Sequence, residues 1–166
     1  MRDQFVGDKG DLGKYAMLRA IADGGSTGVV WYAQPDDAGP ASSHGNRRTY
    51  EGASRRAQAL RAIDPSVTSA LQRLSRGRGS MRASASRRGL WPANTRFPGD
   101  HFLKVLRPNW RISWFEEALA QLGGRDVVLF DPDNGMAPSD RVTGAHATTE
   151  EVYRFLSSGV AGRVLG

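Results

Sequence analysis

The stretch Asp126-Val-Val-Leu-Phe-Asp-Pro-Asp-Asn-Gly135 decides how the chain is read. Four apolar residues, Val127 to Phe130, two β-branched and one aromatic, stop at Asp131, and Pro132, Asp133, Asn134 and Gly135 follow. An apolar run this short, closed by turn-forming residues, reads as a buried strand rather than a helix. Ligands of open α/β sheets dock in the crevice outside the carboxyl ends of the strands. Asp131, Pro132, Asp133 and Asn134 are therefore the first candidates for a reacting or binding site.

A second run, Gly28-Val-Val-Trp-Tyr-Ala33, ends the same way, in Gln34-Pro-Asp-Asp37. Two parallel strands would deliver two acidic loops to one sheet edge, which brings Asp36 into the candidate site. The competing reading is that Pro and Asp merely stop strands and make turns.

Helical spacing fills the intervals. One helix is predicted from about Leu12 to Ala22, with Asp11 as its cap and Gly24-Gly25 as its stop. Ala53 to Leu74 reads as helix broken at Asp64-Pro65, its apolar faces made by Ala57, Leu60, Ala62 and Ile63, then by Val67, Ala70, Leu71 and Leu74. Arg55, Arg56, Arg61 and Arg73 fall on the exposed side. Leu90 to Asp100 reads as an irregular connection. Ile112 to Leu122 is amphipathic, and a Ser113–Glu116 capping box would start it at Trp114. Thr149 to Leu156 is a short helix capped by Thr148 or Thr149, with Val152, Tyr153, Phe155 and Leu156 apolar, and Val160 to Leu165 has the pattern of a last strand. Such alternation predicts a single α/β domain over residues 1–166, a three-layer sandwich with a mainly parallel, Rossmann-like sheet.

The chain has 166 residues and no cysteine, which excludes disulfides, thiolate metal sites and cysteine nucleophiles. No apolar run reaches the roughly 18 residues of a membrane span, and the charged Met1 to Gly10 lacks a signal-peptide core. A cytoplasmic location without membrane contact is expected. Charge is unevenly placed. Residues 1–46 carry 4 basic and 6 acidic side chains, residues 47–88 carry 11 and 2, and residues 89–166 carry 8 and 9. The middle third holds the entire excess, all of it arginine, the better phosphate fork. Arg47, Arg48, Arg55 and Arg56 are its candidate nucleic-acid contacts; a solvated helix face is the plainer alternative. Within this third, about 75–89 reads as a basic, flexible segment, with room for a short edge strand at Met81 to Ala85.

Near the N-terminus Gly7, Gly10 and Gly13 recur with Asp8 and Asp11 between them and Lys14 after. The spacing fails the phosphate-loop test: five residues separate Gly7 from Gly13-Lys14, Tyr15 replaces the hydroxyl residue, and no strand precedes. Asp8, Asp11 and Lys14 remain candidates for cofactor contact, balanced against a plain glycine-rich helix entry. His44 lies in a polar, glycine-rich context that suits a site or solvent histidine better than a core one.

The acidic loop fails the EF-hand pattern, because Gly135 is fifth from Asp131 and Val142 twelfth. It also departs from the haloacid-dehalogenase motif, since Gly135 replaces Thr or Val and about thirty residues remain downstream. Asp131 and Asp133 could still hold Mg²⁺ for attack on a phosphodiester, joined by Asp36 or Asp37 and by His44 or His146. The nuclease sequence Pro-Asp followed by Glu-x-Lys is absent at both Pro35-Asp36 and Pro132-Asp133.

Asp131-Pro-Asp-Asn134 resembles the Asp-Pro-Pro-aromatic loop of amino-group methyltransferases, matching at Asp131 and Pro132 and departing at Asp133 and Asn134. The resemblance implies a loop after a central strand that holds a target nitrogen beside S-adenosylmethionine. The donor-binding Gly-x-Gly turn does not follow Ala33. The paired signatures Gly7-Asp-Lys-Gly-Asp-Leu-Gly-Lys-Tyr-Ala-Met-Leu-Arg19 and Phe130-Asp-Pro-Asp-Asn-Gly135, with Val29-Val-Trp-Tyr and Leu90-Trp-Pro, resemble a group of uncharacterised bacterial and phage proteins. That likeness covers most of the chain and implies a shared fold and site, in members that continue past residue 166. The leading expectation is an enzyme acting on nucleic acid or a nucleotide, methyltransferase-like. The alternatives are a Mg²⁺-dependent nuclease or phosphohydrolase and a non-catalytic nucleic-acid binder.

Overall fold

Thr27–Trp31 (β1) and Val127–Asp131 (β3) pair in parallel along their full lengths, from Thr27 opposite Val127 to Trp31 opposite Asp131. All ten residues are buried, as expected of strands covered on both faces. Thr95–Arg96 (β2) pairs with β1, and Arg163–Leu165 (β4) with β3, again in parallel. The strand order is β2-β1-β3-β4 in an open, all-parallel sheet. The computed structural model describes residues 2–34, 48–76, 84–85, 89–98, 110–138, 141–159 and 163–165. Its helices are Lys9–Ala22 (α1), Arg55–Ile63 (α2), Pro65–Arg76 (α3), Trp110–Leu122 (α4) and Thr149–Ser157 (α5). Among the described residues no helix is long and apolar enough to cross a membrane.

Contacts group the chain into two compact units. The sheet belongs to the first, Gly24–Pro35 with Asn94–Gly166; the second is Arg2–Asp23 with Asp36–Ala93. In the sheet unit the pleat sorts the side chains. Val30, Tyr32, Val128 and Phe130 share a core with Phe115, Ala118 and Leu122 of α4 and Phe155 of α5. Phe155 meets the rings of Phe115 and Phe130 edge-on at 5.5 and 5.1 Å, a favoured geometry for aromatic quadrupoles. Gly28 lies on this same face. A Cβ there would come within 3.1 Å of both Leu122 methyl groups, so the missing side chain lets α4 sit close. On the opposite face Trp31 stacks on Phe97 at 4.9 Å.

In the second unit α1 starts earlier than its apolar stripe suggests. Asp8, not Asp11, is the N-cap, accepting from the N–H groups of Gly10 and Asp11. Asp11 instead ties down the approach to the helix, its carboxylate accepting from Gly7 N at 2.8 Å and pairing with Lys14 at 2.9 Å. Gly7 needs its positive φ of 91° to make this bend, and Tyr50 donates its hydroxyl to the Gly7 carbonyl. The break at Asp64-Pro65 is as expected. Pro65 opens α3, and the Asp64 carboxylate caps it through Ser66 N and Val67 N while the other oxygen holds Arg19 Nε at 2.9 Å. Val67, Ala70, Leu71 and Leu74 are buried, but of the α2 face only Ala57 is; Ile63 is 58% exposed because α2 ends just there. Tyr15 and Trp91 pack ring on ring at 4.2 Å, and Trp91 Nε1 donates to Ser84 O.

Several other expectations need correction. α4 begins at Trp110, and the Ser113–Glu116 capping box does not form. Ser113 donates instead to Trp110 O at 3.0 Å, and Glu116 is engaged by Arg154 at 2.6 and 2.9 Å. In α5 the cap is Thr148, with Glu151 completing the box, and Tyr153 and Leu156 face solvent. The connection after Leu90 contains β2, whose two residues carry no sequence pattern. Ser84 and Ala85 are helical rather than extended; the rest of the suggested edge strand lies outside the described residues.

Candidate functional site

Strand order places β1 beside β3, with β2 beyond one and β4 beyond the other. The chain therefore changes direction of progress between β1 and β3, the topological switch point at which open sheets leave a crevice outside the strand ends. The two strand ends lie side by side, and Tyr32 N donates to Asp131 O at 3.3 Å.

Asp131 itself is the last strand residue and only 3% exposed. By register it shares the Trp31 face. The sequence placed it in the loop; the strand pairing carries one residue further and takes it inside. Asp133 is half-buried and Asn134 exposed, so these two are the polar groups the segment offers to solvent. The loop is tied to a second one. Asn134 N donates to Ala145 O at 3.0 Å, Ala137 N to Ala147 O at 2.7 Å and Ala147 N to Gly135 O at 3.0 Å. Gly135 accommodates the return with φ at 77°.

The second loop is held by groups that the sequence did not single out. Arg111 on α4 directs its guanidinium at four acceptors: Thr143 O at 2.9 Å, His146 O at 2.7 Å, and the two Glu151 oxygens at 2.8 Å each. Glu151 also receives Tyr32 OH and Thr148 N, both at 2.9 Å. A buried carboxylate with this many donors is satisfied, and it fixes α5, the 143–147 turn and the end of β1 to one another. Burial, then the charge of Glu151 and its hydrogen bond, push the Tyr32 phenol far above its usual value, so it stays a donor. The Arg111 guanidinium lies 5.6 Å from the Tyr32 ring centre. Within the turn, Thr143 Oγ1 bonds His146 Nδ1 at 2.7 Å. Gln34, first residue of the acidic stretch after β1, gives its amide to Ala33 O and Gly144 O at 2.9 Å.

Of the sequence candidates, Asp131, Pro132, Asp133 and Asn134 are brought together with the 143–147 loop, which carries His146. Asp36, His44 and Arg47 lie outside the described residues. Asp8, Asp11 and Lys14 belong to the other unit, where the Asp8 carboxylate caps α1 and the Asp11 carboxylate accepts from Gly7 N and pairs with Lys14. Arg48 is half-buried ahead of the short 3₁₀ turn Thr49–Glu51, and Arg55 and Arg56 are exposed in α2. Glu151 had a trace in the sequence, as the acid three residues after Thr148; Arg111, forty residues away, had none.

The described residues do not complete a site for either proposed cofactor. Of the two suggested Mg²⁺ ligands, Asp131 is buried in the strand, and no group of three or more His, Asp or Glu is placed to hold a metal ion among the described residues. Among the described residues the segment after β1, Tyr32, Ala33 and Gln34, contains no glycine and is committed as above. No protein-family model matches the chain, and neither the curated proteins nor the solved structures provide a match.

Proposed function

We propose that the chain acts on nucleic acid or a nucleotide through a site at the carboxyl edge of β1 and β3, on a Rossmann-like, three-layer scaffold of the methyltransferase kind. One observation carries this reading: the Asp-Pro-Asp-Asn segment closes a central strand at the switch point of a parallel sheet. Asp133 and Asn134 contact the ligand, accepting from and donating to a base edge or amino group. Asp131 supports the loop from within the strand. His146 stands in the adjoining loop. The basic middle third favours a polyanionic partner. Likeness to the bacterial and phage group remains part of the proposal.

Calorimetric titration with S-adenosylmethionine, with mononucleotides and with Mg²⁺ tests it. The expected result is heat on titrating a nucleotide, abolished by the double variant Asp133→Ala/Asn134→Ala. Heat with Mg²⁺ alone, sensitive to Asp133→Ala, would transfer the proposal to the phosphodiesterase reading. Absence of heat with every ligand, or heat that the double variant leaves unaltered, would remove the strand-edge site.

A further inference from the structure

Between residues 53 and 93 the chain holds nine arginines and one acid, Asp64. That acid is fully used inside the second unit, by Arg19 and by the first turn of α3. Of the nine arginines, Arg61 is used as well, on the carbonyls of Tyr50 and Gly52 at 2.6 and 2.8 Å. Arg55, Arg56 and Arg73 are different. All three are exposed, and none pairs with a carboxylate among the described residues. Arg55 and Arg56 occupy the first turn of α2, where the helix dipole opposes positive charge and no acid offsets it. Small or hydroxylic residues make up part of the exposed surface of these helices: Ala59 and Ala62 on α2, beside Gln58 and Ile63, and Ser66 and Ser69, which lie on one stripe of α3 with Arg73.

We propose that the α2–α3 surface binds a nucleic-acid duplex through its phosphates, without reading its sequence. The inference extends the nucleic-acid reading above but does not require the strand-edge site. Its specific content follows from what the helices carry and lack. Guanidinium forks match phosphate oxygens, and short side chains between them let the backbone approach. Neither helix contains an aromatic residue on which the bases of a single strand could stack. Among the described residues Ile63 is the one large apolar side chain that α2 and α3 expose, too little for insertion into a lipid surface.

Binding of the full chain to a short mixed-sequence DNA duplex, to the same strand unpaired and to phosphatidylserine vesicles is measured across about 50 to 200 mM salt. Each of Arg55→Gln, Arg56→Gln and Arg73→Gln is expected to lower the slope of log affinity against log salt by about 0.9. Each then removes roughly 3.5-fold of the weakening across that interval. Two unrelated duplex sequences bind equally. Lysine at the three positions keeps the slope, which separates lost charge from lost fold, and Arg154→Gln leaves it unchanged. The triple glutamine variant keeps the heat on mononucleotide titration that belongs to the strand edge, so a failed strand-edge site and a failed basic surface give different results. A triple glutamine variant with the parent slope, a preference for the unpaired strand, or tighter binding to vesicles would each overturn the proposal.

Discussion

Replacing Arg111 by methionine keeps the length of the side chain and removes every donor. Four hydrogen bonds go with it, two to Glu151 and one each to the carbonyls of Thr143 and His146. The decisive loss is electrostatic. The Glu151 side chain is 9% exposed and is left charged without its counter-ion. Breaking a buried pair from one side costs about 3–5 kcal/mol. The Arg111 side chain is 20% exposed, so water recovers part of the loss, and the lower end, about 3 kcal/mol, is expected. For a chain of this length that is a fall of roughly 6–12 °C in Tm. The partner test is Arg111→Met with Glu151→Gln: the amide still accepts from Tyr32 or Thr148 and buries no charge, so at least about half the loss returns. Urea unfolding followed by circular dichroism and by tryptophan fluorescence measures both, with coincident curves showing that one transition is being read. A single variant costing less than about 1 kcal/mol, or a double variant whose costs simply add, would refute the assignment of this network as the clamp on the 143–147 loop. The exposed Arg154–Glu116 pair is the comparison; Arg154→Met is expected to leave the midpoint where it was.

Three further outcomes follow from local geometry. Gly28→Val forces a side chain against the Leu122 methyls and should cost about 1–3 kcal/mol, partly recovered by Leu122→Ala in the same chain, both read from urea midpoints. Asp8→Ala removes the cap of α1 and should cost about 1 kcal/mol, while Asp8→Asn retains most of it. Burial raises the Asp64 carboxyl, but hydrogen bonds from Val67 N and Arg19, with the Arg19 charge, outweigh it and hold the group below its usual 3.8. A depressed folded value means stability present above 3.8 and lost as pH falls through the folded value, so Asp64→Asn should flatten the acid limb of a stability–pH curve in that window.

The sheet was readable because burial on both faces leaves a signature that does not depend on partners: Val29, Val30, Val127 and Val128 announce strands wherever they pair. The parallel arrival of both strand ends at one edge followed from the same residues. β2 was not readable, since Thr95 and Arg96 are strand only because β1 offers them a free edge. The Ser113–Glu116 box failed for a related reason. The helix begins three residues before Ser113, which leaves Glu116 to Arg154, whereas the Thr148–Glu151 box formed and recruited Arg111 besides. Within the candidate site the acidic tetrapeptide was legible and its internal division was not. Which of two neighbouring aspartates is buried depends on how far the ladder runs, a property of β1 as much as of β3. At the glycine-rich start Asp8 and Asp11 accept from backbone N–H groups, a local use that the spacing alone does not separate from ligand contact.

The notch at Gly28 has mechanical consequences. Leu122 seated against bare backbone works as a key in a slot: for α4 to travel one turn, about 5.4 Å, its methyls would have to climb over neighbouring side chains in a close-packed layer. The helix is thus barred from ratcheting along the strands. The three hydrogen bonds that lace the loop after β3 to the 143–147 loop lie beyond this layer and do not involve the notch.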